Sequence, residues 1–350
     1  MSTSETTKKM EYVRLGQSGL KISKIVLGCM SYGRPTWNGN WVLQEEEAFK
    51  HIKAAYDAGI NTFDTANVYS DGLSEEILGR AIKQFNLPRD EIVVMTKVFF
   101  PLSGDKFTLP GPDADAAGLV NQYGLSRKHI FDSVKHSLKR LELDYVDLLQ
   151  CHRFDPDTPI AETMQALHDV VKAGYVRYIG MSSCYAWQFH AMQNYAISNN
   201  LTPFISMQNH HSLLYREEER EMFPTLKLFG VGAIPWSPLA RGALTRPLAD
   251  QDKTQRAKTE VMSPSVYTGT DANKTIVHRV EEIAKKHNIS MAQVAVAWSI
   301  NKEGISAPIV GTTSLANLQD AIAATHVKLS EEEIKYLEEP YQPMAIMGHW

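Results

Sequence analysis

Eight short apolar runs alternate with helical patterns along this chain, at 25–28, 61–64, 92–97, 146–151, 176–181, 204–208, 232–236 and 307–311. Between them, segments 45–58, 74–85, 126–143, 160–173, 185–198 and 216–229 carry apolar residues at helical spacing. In the first of these, Ala48, Ile52, Ala55 and Tyr56 share one face. Gly59, Gly174 and Gly230 stand where a helix would stop. Runs repeat roughly every 30 to 40 residues, which suits parallel βα units. Eight such units predict an α/β fold, a (β/α)8 barrel, with a doubly wound open sheet as the alternative. Residues 12–15 and 20–22 read as an N-terminal hairpin joined by Gly16-Gln17-Ser18-Gly19. Strand and helix alternate without a change of type, so residues 11–350 read as one domain behind a polar tail, 1–10.

Two connections are long, 99–125 and 237–271, and both follow strands. Loops of that length are usually functional, and in a barrel both would lie on the catalytic face. Helices are expected at 272–287, 291–301 and 330–339.

Charge and cysteine usage exclude several functions. The net charge of −4 favours neither nucleic acid nor an anionic membrane. No apolar run approaches bilayer length, and the polar start lacks the core of a signal peptide. Three isolated cysteines, Cys29, Cys151 and Cys184, fit a reducing, cytoplasmic setting. No GxGxxG follows the first run, and neither GxxxxGK[ST] nor HExxH occurs.

Asp64 ends the second apolar run, Lys97 ends the third, and His152 follows the fourth. Tyr69 lies on the loop after Asp64. Parallel strands of a barrel end on one rim, so topology alone gathers these four. A phenol is a poor acid at neutral pH, with a pKa of about 10. Lys97, paired with Asp64, would lower it. Tyr69 would then protonate a developing alkoxide, with His152 orienting the carbonyl oxygen. A set without nucleophile or metal suits carbonyl reduction by a hydride carrier.

The sequence resembles the aldo-keto reductase family. The matching stretches run in family order: Asn61-Thr62-Phe63-Asp64-Thr65-Ala66 with Tyr69, residues 72–80, Thr96-Lys97, Leu149-Gln150-Cys151-His152, and residues 174–182, 235–242 and 311–313. The resemblance implies a (β/α)8 barrel and a catalytic tetrad of Asp64, Tyr69, Lys97 and His152. It implies a nicotinamide held by Ser182, Ser183 and Gln208, with Trp236 stacked against it. Serine at 183, where the family usually has asparagine, resembles the aryl-alcohol dehydrogenase and versiconal hemiacetal acetate reductase branches. Ser237, Pro238, Leu239, Arg241 and Gly242 would follow the pyrophosphate. Gly311, Thr312, Thr313, Ser314 and Asn317 would bind at the last helix N-terminus. NADP(H) is expected over NAD(H). The basic residue often found for the 2′-phosphate is missing, and threonine hydroxyls, Arg241 or Arg246 would substitute.

Trp37, Phe100 and Trp350 are the expected substrate-binding residues, with Trp41, Phe99 and Tyr123 as further rim candidates. Together they predict an aromatic or bulky small-molecule carbonyl substrate. A nucleotide-sensing accessory subunit of the channel β-subunit type, with little turnover, is the alternative function.

Overall fold

The computed structural model describes residues 10–38, 40–104, 109–259 and 265–349; residues 1–9 of the expected tail and Trp350 lie outside these. Among them, β1 (Tyr12–Arg14) and β2 (Lys21–Ser23) form the hairpin, with Val13 opposite Ile22. The eight apolar runs become β3 (Val26–Gly28), β4 (Thr62–Asp64), β5 (Val93–Val98), β6 (Val146–Cys151), β7 (Val176–Ser182), β8 (Ser206–Gln208), β9 (Gly232–Ala233) and β10 (Ile309–Val310). These pair in the order β10-β3-β4-β5-β6-β7-β8-β9, all in parallel. Further bonds join the two ends of the sheet. Ser306 N–H donates to Ala233 O at 2.8 Å, and Ile309 N–H donates to Pro235 O at 2.9 Å. A barrel needs such closure, and a doubly wound sheet does not.

Side chains alternate across each strand, and the alternation sorts them between two cores. Leu27, Phe63, Val94, Leu149, Ile179 and Met207 pack outward against the helices. Val26, Val93, Met95, Leu148 and Ile309 pack together with Leu15 and Ile22 of the hairpin. The hairpin therefore plugs one end of the barrel, and Gln17 N–H donates to Gly230 O at 2.8 Å beside it. Met10, placed by sequence in the tail, is buried in the outer core.

Helices fill the connections: α1 (Glu45–Asp57), α2 (Leu73–Gln84), a short α3 (Pro112–Ala116), α4 (Arg127–Leu141), α5 (Ile160–Lys172), α6 (Ala186–Ser198) and α7 (Met222–Phe229). After β9 come the short α8 (Gln255–Thr259) and α9 (Ser265–Thr268), then α10 (Asp271–His287) and α11 (Met291–Asn301). After β10 come α12 (Leu315–Ala323) and α13 (Glu331–Glu338). The starts are chemically marked. Ser126, Thr270 and Ser290 each accept a backbone N–H three residues on, and Ser330 with Glu333 forms a capping box.

The expected helix at 216–229 is shorter. Residues Glu217–Glu219 form one 3-10 turn, and α7 begins only at Met222. Pro224 is the reason: lacking an N–H, it fits the first turn of a helix and not its interior.

Candidate active site

Alternation explains how the site is built. On β5, residues 93, 95 and 97 point into the barrel; on β6, residues 148, 150 and 152 follow the same phase. Pairing sets Lys97 beside Gln150 and Ser182 beside Gln208. The inward apolar layer therefore gives way, at the strand ends, to a buried polar layer of Asp64, Lys97, Gln150, His152, Ser182 and Gln208.

The four expected catalytic residues come together. Lys97 Nζ donates to Asp64 Oδ2 at 2.6 Å, to Thr65 O at 2.9 Å and to Tyr69 Oη at 3.2 Å. Its side chain is fully buried. The His152 ring lies 5.8 Å from the Tyr69 ring, nearly perpendicular to it. Asp64 is satisfied from a second side. Gln150 Nε2 donates to Asp64 Oδ1 at 3.0 Å, and Gln208 Nε2 donates to the same oxygen at 2.8 Å. Gln208 also donates to Gln150 Oε1 at 2.8 Å. Gln150 was not singled out from the sequence, although it shares the inward phase of Leu148 and His152. That phase was the signal available.

Electrostatics correct one expectation. Lys97 does pull the Tyr69 pKa down, but burial pushes it up more strongly and the Asp64 charge adds to the rise. The net shift is upward, so the phenol is held protonated. Burial also opposes the charge on Lys97, yet Asp64 and Tyr69 outweigh it and raise its pKa. Burial, then the Lys97 and Arg153 charges, push His152 well below the ordinary histidine value. Its ring is neutral at pH 7, and its buried Nδ1 has no hydrogen-bond partner.

His210 is pushed down in the same way, first by burial and then by Arg241. The unfolded chain protonates both histidines near pH 6.5, while the folded one does not. Unfolded protein then binds more protons, so stability falls as pH drops below about 6.5. Glu218, raised to about 7 by burial, works in the opposite sense between its unfolded pKa and 7. His129, His211 and His349 are lowered as well, so the histidines outweigh the one carboxylate and stability is expected to fall from pH 6.5 to 5. Denaturant melts across that window test it; rising stability on acidification would refute the assignment.

The expected cofactor residues line the neighbouring strand ends. Ser182 Oγ donates to Gln208 O at 2.7 Å, and Trp236 Nε1 donates to Ser183 Oγ at 3.0 Å. The indole of Trp236 stacks on His210 at 4.1 Å, and His210 stacks on Tyr215 at 4.2 Å. Neither His210 nor its sandwich was anticipated. Ser237, Pro238, Leu239, Arg241 and Gly242 follow Trp236 in a tight turn, with the Arg241 guanidinium 5.8 Å from the Trp236 ring. Gly311, Thr312 and Thr313 lead into Ser314, the N-cap of α12, with Asn317 in its first turn.

Two features suit an extended anionic ligand here. The Ser314 side chain makes no capping bond, which leaves the N-terminal N–H groups of α12 open to an anion. Left-handed backbone also gathers on this face. Ser70, Asp71, Ser183, Ser237, Ala240 and Arg241 all have φ between 37° and 57° without being glycine. Strain of this kind collects where the surrounding fold holds a site in shape.

Of the aromatic candidates, Trp37 lies edge-on to Tyr69 at 6.2 Å, and the buried Phe100 lies 5.1 Å from the His152 ring. The Trp41 ring instead carries the Arg256 guanidinium at 4.3 Å. Tyr123 donates to Asp115 within its own loop. Trp350 lies outside the described residues, but the tail before it reaches the site. A Cβ on Gly348 would fall 2.8 Å from the Trp236 ring, and His349 meets Tyr185 at 4.8 Å.

A closed parallel barrel with a lysine–carboxylate pair beside a protonated phenol and a neutral imidazole defines a barrel oxidoreductase acting on carbonyl groups. Comparison with known proteins agrees: the Aldo/keto reductase family profile matches residues 24–342. The chain belongs to the aldo/keto reductase family, whose members use a nicotinamide cofactor and act on small carbonyl compounds. It is 53% identical over 345 residues to an aryl-alcohol dehydrogenase-like protein of Schizosaccharomyces pombe, covering 96% of this chain and 97% of that one. It is 50% identical over 343 residues to versiconal hemiacetal acetate reductase of Aspergillus parasiticus, covering 96% and 98%. An aldo-keto reductase of Fusarium vanettenii is 47% identical over 350 residues, covering 97% and 94%. Among the described residues, no helix is long and apolar enough to cross a membrane.

Proposed function

We propose that this chain is a cytoplasmic, NADP(H)-dependent reductase of aromatic or bulky aldehydes and ketones, with Tyr69 as the general acid. The observation that carries the reading is the Tyr69 hydroxyl 3.2 Å from a fully buried Lys97 that is itself paired with Asp64. The nicotinamide supplies hydride to the carbonyl carbon when bound. The chain's own groups handle the proton. Neutral His152 holds the carbonyl oxygen, and Tyr69 donates its proton to that oxygen as negative charge develops. The phenolate left behind sits against the Lys97 ammonium, which stabilises it. Asp64, fixed by Gln150 and Gln208, keeps Lys97 charged and aimed.

Ser182, Ser183 and Trp236 are the residues assigned to the nicotinamide. Gln208 is assigned there too, although its amide nitrogen already serves Asp64 and Gln150. Residues 237–242 and 311–317 are assigned to the phosphates, and Trp37 and Phe100 support an aromatic substrate. Thermal melts with NADPH and with NADH at equal concentration test the cofactor choice. Ligand at about 100 times its Kd adds about 2.7 kcal/mol of stability, so NADPH is expected to raise Tm clearly more. Equal shifts would overturn the NADP preference. Turnover of benzaldehyde against butanal, as kcat/KM with NADPH, tests the substrate class; an aliphatic preference would count against it.

A further inference from the structure

Arg153 follows His152 and is not used by the chemistry above. Its Nη1 donates to the His152 carbonyl, and its guanidinium stands 5.7 Å from the Phe100 ring. Its Nε is buried without a hydrogen-bond partner. The groups that act on its charge are Tyr69, Cys184 and Arg241, and among the described residues no carboxylate pairs with it.

Several other arginines of this chain are balanced. Arg80, Arg89, Arg140 and Arg216, all partly buried, each meet a carboxylate at 2.6 to 2.8 Å. Among the described residues Arg153 has no such partner, and neither does the half-buried Arg246, which bonds Thr254 instead; of the two, Arg153 stands beside the tetrad. Burial lowers its pKa to about 10, which leaves it charged at neutral pH. An unbalanced buried cation is costly, and a fold that keeps one beside its reaction centre gains when an anion arrives. The surroundings reinforce this. Arg241 adds a second positive charge, and His349 is pushed to about 4 first by burial and then by Arg153.

We infer that Arg153 is a specificity-determining residue that binds a carboxylate on the substrate, so that the preferred substrates are aldehydes bearing an anionic group remote from the carbonyl. A planar guanidinium with its edge free of carboxylates matches a carboxylate with two parallel hydrogen bonds. Substrate is favoured over cofactor as the anion's source by position. Arg153 stands at the end of β6 and packs on Phe100 at the end of β5, on the Tyr69 side of the mouth. The residues assigned to the cofactor phosphates follow β9 and β10; Arg241 among them also acts on Arg153, so NADPH affinity in the Arg153 variant separates the two sources.

The inference rests on the reductase reading, and the test separates the two. Affinities of 4-carboxybenzyl alcohol and of its neutral analogue benzyl alcohol are measured by calorimetry on the NADPH-loaded protein, with no turnover required. Wild type is expected to bind 4-carboxybenzyl alcohol more tightly by about 10- to 100-fold, the worth of a hydrogen-bonded charge. Arg153→Gln should lose that preference, and Arg153→Lys should keep only part of it. In the turnover assay, the ratio of kcat/KM for 3- or 4-carboxybenzaldehyde over benzaldehyde should fall by a similar factor in Arg153→Gln. Equal affinities in wild type would overturn the proposal whether or not the variants fold. So would a preference for the carboxylated alcohol that survives Arg153→Gln, or a loss of NADPH affinity in its place. Failure of benzaldehyde turnover alone would instead strike the reductase reading, leaving the binding comparison to decide the anion seat.

Discussion

Tyr69→Phe is expected to lower kcat for aldehyde reduction by about 10²- to 10⁴-fold, the usual worth of a positioned general acid. The ring stays, so its packing against Trp37 and His152 stays with it. Only the hydroxyl 3.2 Å from Lys97 is removed. The proton it would give is needed as the alkoxide forms, so the loss appears in kcat and not in cofactor affinity. Steady-state rates with a fluorescence titration of NADPH measure both. Near-normal turnover would refute the role given to Tyr69, as would a large loss of NADPH affinity with kcat preserved.

Lys97→Met is expected to damage stability and turnover together. The ammonium and Asp64 form a buried pair 2.6 Å apart, with both side chains almost wholly enclosed. Removing one member of such a pair costs about 3–5 kcal/mol, because the other charge is left buried and uncompensated. Gln150 and Gln208 still donate to one Asp64 oxygen, which places the expected loss toward the lower end of that range. The double variant Lys97→Met/Asp64→Asn should regain much of the stability, since no lone charge then remains. It should not regain activity, because nothing positive faces the developing phenolate. Chemical denaturation and turnover on both variants supply the comparison. A single variant as stable as wild type, or a double variant that regains turnover, would show that the pair is not the source of the phenol's reactivity.

The barrel was legible because its signal is local. Each βα unit repeats an apolar run, a loop and an amphipathic helix, and the eight runs all appear as barrel strands. The helix expected at 216–229 is shorter because apolar spacing does not register Pro224, whose missing N–H sets where α7 can begin. The gathering of Asp64, Tyr69, Lys97 and His152 was legible for a related reason. A strand's period of two and the common direction of parallel strands bring Asp64, Lys97 and His152 to one rim, with Tyr69 on the adjoining loop.

The sequence by itself determined the eight-unit barrel and the identity of the residues at its mouth, since strand period and chain order need no knowledge of distant contacts. Tertiary structure alone decided how those residues behave. Burial moves Tyr69 upward against the pull of Lys97, Gln208 is drawn under Asp64, and among the described residues Arg153 has no carboxylate beside it. Each of these depends on desolvation and on partners contributed by segments far apart in the chain, and no local pattern carries that information.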